Sequence, residues 1–585
     1  MAKVYSGQGY IDAVLSDSGQ ATTPVNSWSQ ATTVGGAVSL TYDWMTSAPG
    51  GAPAGGFVAF SASQQAGAIA AMALLSEIAN VTFTYSAVGT ADIEFGTVNF
   101  GGSPLGYTAG LASTSWTIIG NPATNTYYTH ADVYLTNAAF APMQDQTPGT
   151  SGFATMLHEL AHGLGLDHTF ENVLAPGGTD SEQYSVMSYT AHPTMSVNPI
   201  NFMLYDVAAL QYLYGANMNT RTGNNAYQIA PDAAVVQTIW DAGGIDEIDA
   251  SNQTRASTIN LNAGSFSSIG SNGSGGNAVN NLAIAYGVTI ENARGGSNND
   301  TLHGNSVANS LFGNGGNDML FGGLGADALD GGSGFDYARY DNAASAVAVY
   351  LANDRPNSGE AAGDTFANIE GLILSAHNDY GFGDDGANYI YGLGGSDSLA
   401  GGLGADYLDG GEGFDYVRYD DAAYPDDIRV YLQSQYSNLN TGVAAIGDTF
   451  VSIEGLQTSV RNDTLFGNSE NNILLGNLGT DNLYGFTGND TLYGGAGDPN
   501  GDGVRDNFVF DQAPIAANAD IVGDFERGLD QIALSSDIFG TNESRIQFNA
   551  GTRELVYTGV NGNEYNVIAT LVGETVFDAS DYYFY

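Results

Sequence analysis

His158, Glu159, His162, Gly165 and His168, within HELAHGLGLDH, are the residues whose types and spacing suit metal-assisted hydrolysis. They match the pattern HExxHxxGxxH. On a helix, His158 and His162 stand one turn apart and face the same way, so each can offer a ring nitrogen to one zinc ion at about 2.0 to 2.1 Å. Glu159 lies one residue round. There its carboxylate can face the open coordination position and take a proton from a water, the task of a general base in peptide hydrolysis. A glycine at 165 can end the helix in a left-handed conformation and turn the chain back, so that His168 reaches the metal as third ligand. HExxH alone is often just the polar face of a helix. Here three of the chain's seven histidines fall within eleven residues at the required positions, which argues against that reading.

Twenty residues on comes SVMSY, with Met187 and Tyr189. Alone, Met187 would be an ordinary core methionine. After an extended zinc motif it resembles the Met-turn of the metzincins, a tight turn that floors a three-histidine site. With a tyrosine two residues after the methionine, the segment resembles the serralysin family, secreted bacterial zinc endopeptidases. The resemblance implies that Tyr189 is a fourth zinc ligand at rest, and that its phenol swings away to stabilise the oxyanion when substrate binds. One position departs from the family. Thr169 follows the third histidine where serralysins commonly have proline, a change expected to affect the following loop and not a ligand.

The elements around the motif are readable in outline. AGAIAAMALLSEIA, Ala66 to Ala79, reads as a buried amphipathic helix, too short and too interrupted by Glu77 to span a membrane. Strand-like VTFTY and ADIEF follow it. PINFMLYDVAALQYLYGAN, Pro199 to Asn217, reads as another helix, with Gly215 after its end. The expected fold is an α+β metzincin-type catalytic domain over 1–217, preceded in serralysins by a short propeptide, then an all-β parallel β-roll over 218–506 and a C-terminal β segment over 507–585.

The roll is read from a nine-residue period rich in Gly, Asn and Asp, in blocks at 295–339, 374–418 and 458–498. Its sixth position carries Asp300, Asn309, Asp318, Asp327 and Asp336, then Asp379, Asn388, Asp397, Asp406 and Asp415, then Asp463, Asn472, Asp481 and Asp490. Glycines permit tight turns, the carboxylates and turn carbonyls offer hard oxygen ligands to calcium, and an apolar eighth position points inward. A floppy linker does not explain Leu302, Leu311, Leu320 and Leu329, or Leu465, Leu474, Leu483 and Leu492, at one phase of the period. Asparagine in each second repeat is expected to weaken one site per block. Between blocks run longer repeats, GDTFANIEGL and GDTFVSIEGL among them. In DPNGDGVRD, Asp498, Asn500, Asp502 and Asp506 are spaced like the start of an EF-hand loop, although Val509 stands where the closing glutamate belongs. The serralysin resemblance adds a junction set for calcium: Arg221 through its carbonyl, Gly223, Asp241, Gly243, Gly244, Asp246, Thr289 and Glu291.

Composition agrees with an exported enzyme. Against 63 Asp and Glu there are 13 Lys and Arg, a formal charge of −50, which disfavours nucleic acid and anionic membranes as partners. No cysteine is present, so some device other than a disulfide must staple the fold. No Sec-type signal or transmembrane helix is apparent. The acidic-then-aromatic end, Asp581 to Tyr585, resembles the uncleaved signal read by a type I secretion apparatus. The expectation is an extracellular, calcium-stabilised zinc endopeptidase acting on proteins or peptides. The alternative is a calcium-dependent cell-surface, S-layer-associated or adhesion protein whose protease activity is secondary or self-processing.

Overall fold

The structure is a computed structural model that describes residues 35–47, 57–87, 91–98, 110–118, 126–136, 141–171, 178–352, 354–420, 426–499, 501–514, 519–559 and 565–585. Any propeptide boundary within 1–34 lies outside the described residues. The chain divides into two compact units, Met1–Asn305 with Phe312–Gly316, and Ser306–Leu311 with Asn317–Tyr585. The change in composition near Met218 falls inside the first.

In the first unit, α1 spans Ala62–Ile78 and begins at a capping box: Ser61 Oγ accepts from the Gln64 amide while the Gln64 side chain accepts from the Ser61 amide. Its buried Ala68, Ala71, Met72, Leu75 and Ile78 recur at three- and four-residue intervals, which gives the helix one apolar face. The strands β1 (Val38–Trp44), β2 (Phe57–Val58), β3 (Val81–Tyr85), β4 (Ile93–Val98), β5 (Gly110–Ile118) and β6 (Thr126–Thr136) form one sheet of order β3-β1-β4-β6-β5, with β2 antiparallel to β4. The neighbours β3-β1, β1-β4 and β4-β6 are parallel, and the edge strand β5 is antiparallel to β6. Period-two alternation divides the sheet's residues. Ile93, Phe95, Ala131, Val133 and Leu135 are buried on one face, and Asp43, Glu94 and Asp132 fall on the other.

The zinc-motif helix, α2 (Ser151–Gly163), lies over the buried face, so close that a Cβ on Gly163 would meet the Ala131 and Val133 side chains at 3.7 and 3.8 Å. Thr150 caps it, its hydroxyl accepting from the Phe153 amide. A third helix, α3 (Leu204–Tyr214), ends at Gly215, whose φ of +78° and close approach to the Gly35 carbonyl both demand glycine. Short parallel strands then begin within the same unit, Ala226–Gln228, Glu247–Asp249 and Asn292–Arg294 among them.

The second unit is a parallel β-roll. Three-residue strands such as Tyr380–Phe382, Ser398–Ala400, Tyr416–Arg418, Gly455–Gln457, Ile473–Leu475 and Thr491–Tyr493 stack in register, each with its middle residue buried. The inward leucines Leu320, Leu399, Leu456, Leu465, Leu474, Leu483 and Leu492 are wholly shielded from solvent. An antiparallel meander, Ile546–Asn549, Glu554–Thr558 and Tyr565–Leu571, closes one stack. Tyr582–Phe584 is a strand parallel to Gln531–Leu534, so the terminal aromatics are part of a sheet. Among the described residues no helix is long and apolar enough to cross a membrane.

Candidate metal centre and acidic turns

His158 and His162 project from α2, whose helix ends at Gly163. Gly165 then takes a φ of +97°, the left-handed turn that brings His168 back. The three rings converge. His162 Nε2 lies 3.1 Å from His158 Nε2 and 3.1 Å from His168 Nε2. Two nitrogens on a tetrahedral zinc ion at about 2.0–2.1 Å would stand about 3.3–3.4 Å apart, so the spacing fits. Backbone carbonyls fix the tautomers on two of the rings. His158 Nδ1 lies 2.7 Å from the Val186 carbonyl and His162 Nδ1 2.7 Å from that of Leu166. A carbonyl can only accept, so Nδ1 carries the proton and each Nε2 presents a lone pair to the common point. Burial, aided by the neighbouring imidazoles, pushes His158 down to about 4 and His162 to about 3, so both rings are neutral at pH 7. Glu159 is buried beside them on the same helix.

The turn at Met187 supports this centre. Met187 is fully buried, and its amide donates to Ser185 Oγ at 3.0 Å. Asp206 on α3 is the residue that sequence reasoning missed here. Wholly buried, it accepts from Ser185 Oγ at 2.5 Å, from the Val186 amide at 2.8 Å and, as a helix cap, from the Met203 amide at 2.9 Å. Val186 is the residue whose carbonyl holds His158. Burial raises Asp206 to about 6 although all three donors favour its ionised form. Tyr189 is 71 % exposed, its ring centroid 4.6 Å from His168 and 5.5 Å from His158, so it flanks the histidines on the solvent side. Asp180 ties the two flanks together: one of its oxygens accepts from Thr169 Oγ1 at 2.5 Å and from Ser188 Oγ at 2.6 Å. Thr169 follows His168, and Ser188 precedes Tyr189. A short polar residue before SVMSY was the available signal.

In the roll, one oxygen each of Asp327, Asp336, Asp397, Asp406, Asp415, Asp481 and Asp490 accepts the amide of the acid or asparagine eighteen residues earlier, whereas Asp300, Asp379 and Asp463, first in their blocks, accept from the Ser257, Val347 and Ile428 amides. Eighteen residues are two nonapeptides and one full turn. Where longer segments intervene, acids that the nonapeptide pattern does not mark continue the ladder: Asp364, Glu370, Asp448, Glu454, Asp520 and Asp530 accept from Asp327, Asp336, Asp406, Asp415, Asp490 and Asp506. Four of them lie in the paired GDTF repeats, which were visible as repeats but not as acid positions. The second oxygens differ. In Asp327, Asp336, Asp397, Asp406, Asp415, Asp481 and Asp490 that oxygen is buried without a hydrogen-bond partner. A buried, unpartnered carboxylate oxygen is costly, and a hard cation relieves that cost. Asp300, Asp379 and Asp463, first in their blocks, instead spend the second oxygen on local donors, the Gly296 amide, Ser375 and Ser459. Asp318 donates its amide to Asp336 at 2.7 Å. In the Asn positions, Asn388 and Asn472 turn their amide oxygens to the backbone of Asp384 and Asn468.

At the junction, Asp246 holds the Asn225 amide with one oxygen and buries the other without a hydrogen bond, while its own amide donates to Glu291 at 2.8 Å. Asp241 accepts from the Gly243 amide, and a Cβ on Gly244 would overlap the Gly223 carbonyl, so this group of residues packs around one turn. Arg221 has a φ of +50° and pairs with Glu77; Thr289 is exposed. In the EF-hand-like loop Asn500 lies outside the described residues. Asp502 buries an unpartnered oxygen, and Asp506 joins the roll ladder by accepting from Asp481. Val509 is buried in a strand, and Glu526 reaches the loop instead, accepting from the Gly503 amide at 2.9 Å. Asp498 stands at the rim of the same loop, beside a surface hollow that Asp502 also lines.

Comparison with known proteins agrees with this architecture. Residues 205–570 match the family described as peptidase M10 serralysin C terminal. Metallopeptidase AprA of Pseudomonas marginalis is 36% identical over 305 residues, covering 46% of this chain and 61% of that protein. Serralysin C of Dickeya chrysanthemi is 36% identical over 329 residues, 49% of this chain and 63% of its own length. Serralysin of Proteus mirabilis is 33% identical over 272 residues, 39% and 51% respectively. The chain thus spans about three fifths of the length of the first two relatives.

Proposed function

The chain belongs to the serralysin family, and on that premise we propose that it is an extracellular zinc endopeptidase, stabilised by calcium, that hydrolyses peptide bonds of proteins. The observation that carries the reading is the convergence of three Nε2 atoms, two of them with their Nδ1 protons held by backbone carbonyls. His158, His162 and His168 would hold the zinc, which supplies Lewis acidity toward the carbonyl and lowers the pKa of water. Glu159 takes the proton of the attacking water and passes it to the leaving amine. The exposed Tyr189 phenol, its ring beside His158 and His168, would join the zinc ligands at rest and hydrogen-bond the oxyanion in the transition state. Met187 floors the site. Calcium is held by the roll carboxylates with unpartnered oxygens, by the junction around Asp246, and by the loop of Asp498, Asn500, Asp502 and Asp506. Export is by a type I secretion apparatus. Casein cleavage by the chain and by Glu159→Ala, each with its zinc counted, tests the assignment: the variant should keep one zinc and lose activity. Equal activity in the two would remove Glu159 as base, and bound zinc with no activity in either would favour the surface-protein alternative.

A further inference from the structure

We propose that Glu94, His130 and Asp132 form a second site for a divalent cation of the zinc type, on the sheet face opposite α2. Glu94 belongs to β4, and His130 and Asp132 to β6, the strand beside it. One ligand atom from each lies within 4.8 Å of the others. Neither the zinc motif nor the repeats pointed to them.

The imidazole is set as a ligand is set. His130 Nδ1 lies 3.0 Å from the Ala91 carbonyl, the backbone contact that fixes the tautomer of His158 and His162, and its Nε2 is thereby turned toward Asp132 Oδ1 at 3.0 Å. The sheet register supplies the second, independent argument. Asp43 is paired with Glu94 and Glu94 with Asp132, so three carboxylates occupy one row across β1, β4 and β6 on a single face. Parallel neighbours are about 4.8 Å apart, and like charges directly opposite one another are destabilising. A single imidazolium is a weak answer to that row. A dication between Glu94, His130 and Asp132 neutralises two carboxylates and leaves the ring neutral. One nitrogen with two carboxylate oxygens suits zinc or a neighbouring first-row metal; calcium avoids imidazole.

The hydrogen bond to Asp132 raises His130 above its ordinary value, and burial raises Glu94. Ala131 and Val133, the residues flanking Asp132 on β6, face the other way toward α2, so loss of this cation should leave the three-histidine centre in place.

The test counts metal in the whole protein. The chain, held in millimolar calcium and equilibrated with micromolar free zinc, is analysed by elemental mass spectrometry alongside His130→Ala, His130→Gln, Glu94→Gln and the double variant His158→Ala/His162→Ala. Two zinc ions per chain are expected in the parent and one in each of the four variants, with caseinolytic activity retained in the three that spare the histidine triad. His130→Gln, with its near-native size, covers the case in which the alanine variant misfolds, and far-UV circular dichroism identifies that case. A parent whose single zinc is retained in His130→Gln, or a second zinc that both His130 variants retain, overturns the proposal and leaves the cluster an ion pair. Absence of zinc from the triad would be seen separately, as one zinc remaining in the parent and lost in His130→Gln.

Discussion

At the scale of single residues, the centre depends on side chains that never touch the metal. Asp180 accepts from Thr169 and Ser188 with one oxygen and so links the residue after His168 to the residue before Tyr189. Threonine at 169 can make this bond, whereas a proline there has no hydroxyl to donate. Asp180→Ala should therefore loosen both flanks at once, lowering kcat roughly 10-fold or more while zinc stays bound through the other histidines; zinc content equal to the parent together with unchanged kcat would show that the tie is dispensable. Tyr189→Phe removes only the hydroxyl. Loss of one oxyanion donor costs about 10²–10³ in kcat, so this variant should fall by that factor with KM little altered, since its ring still packs on His168. A fall in kcat/KM confined to KM would place Tyr189 in substrate binding instead.

At the scale of elements, the strands and helices were legible where one period dominates. The helix read from Ala66 to Ala79 begins four residues earlier, at Ala62, because Ser61 and Gln64 form a capping box ahead of the apolar run. The helix read from Pro199 to Asn217 is shorter, Leu204–Tyr214, because Asp206 caps it at Met203. Its C-terminal glycine was legible, as was the turn at Gly165, since backbone conformations of that kind announce themselves in residue type. Asp206 as a support of Val186 was not, because it depends on two segments twenty residues apart meeting in space. The same limit hid Asp364, Glu370, Asp448 and Glu454. A nonapeptide count stops at the end of a block, but the roll's turn does not. Element stability can be tested at Leu474, fully buried between Leu456 and Leu492. Leu474→Ala should destabilise the roll by about 2–5 kcal/mol in calcium, read from denaturant midpoints. Gly413→Ala should be at least as damaging, because φ is +151° and a Cβ there would overlap the Gly395 carbonyl oxygen.

At the scale of the whole molecule, the charge of −50 and the ladder of buried acids make stability depend on pH and, with the calcium binding proposed above, on calcium as well. Burial raises the folded-state pKa of Asp327, Asp397 and Asp490 to about 7, of Asp406 to about 8 and of Asp481 to about 9, against an ordinary value of 3.8. Without calcium, the folded roll then holds more protons than the unfolded chain from about pH 4 to about pH 9. Stability must fall as pH rises through that window, since each of these acids is protonated at low pH and has to ionise inside the fold at high pH. The calcium binding proposed above would reverse the sign. Its ligands must be deprotonated, so binding releases protons and tightens as pH rises, and mass action transfers that tightening to the fold. In EDTA, the melting temperature of the full chain followed by circular dichroism should be highest near pH 4–5 and decline toward pH 9. In millimolar calcium it should hold level or rise over the same range. A melting temperature in EDTA that climbs with pH would mean that the buried carboxylates are ionised without a cation, and calcium would then have no desolvation cost to relieve. If the decline is seen, the roll without calcium is already less stable at near-neutral pH than at pH 4–5, which accords with the proposal that it forms only where calcium is plentiful.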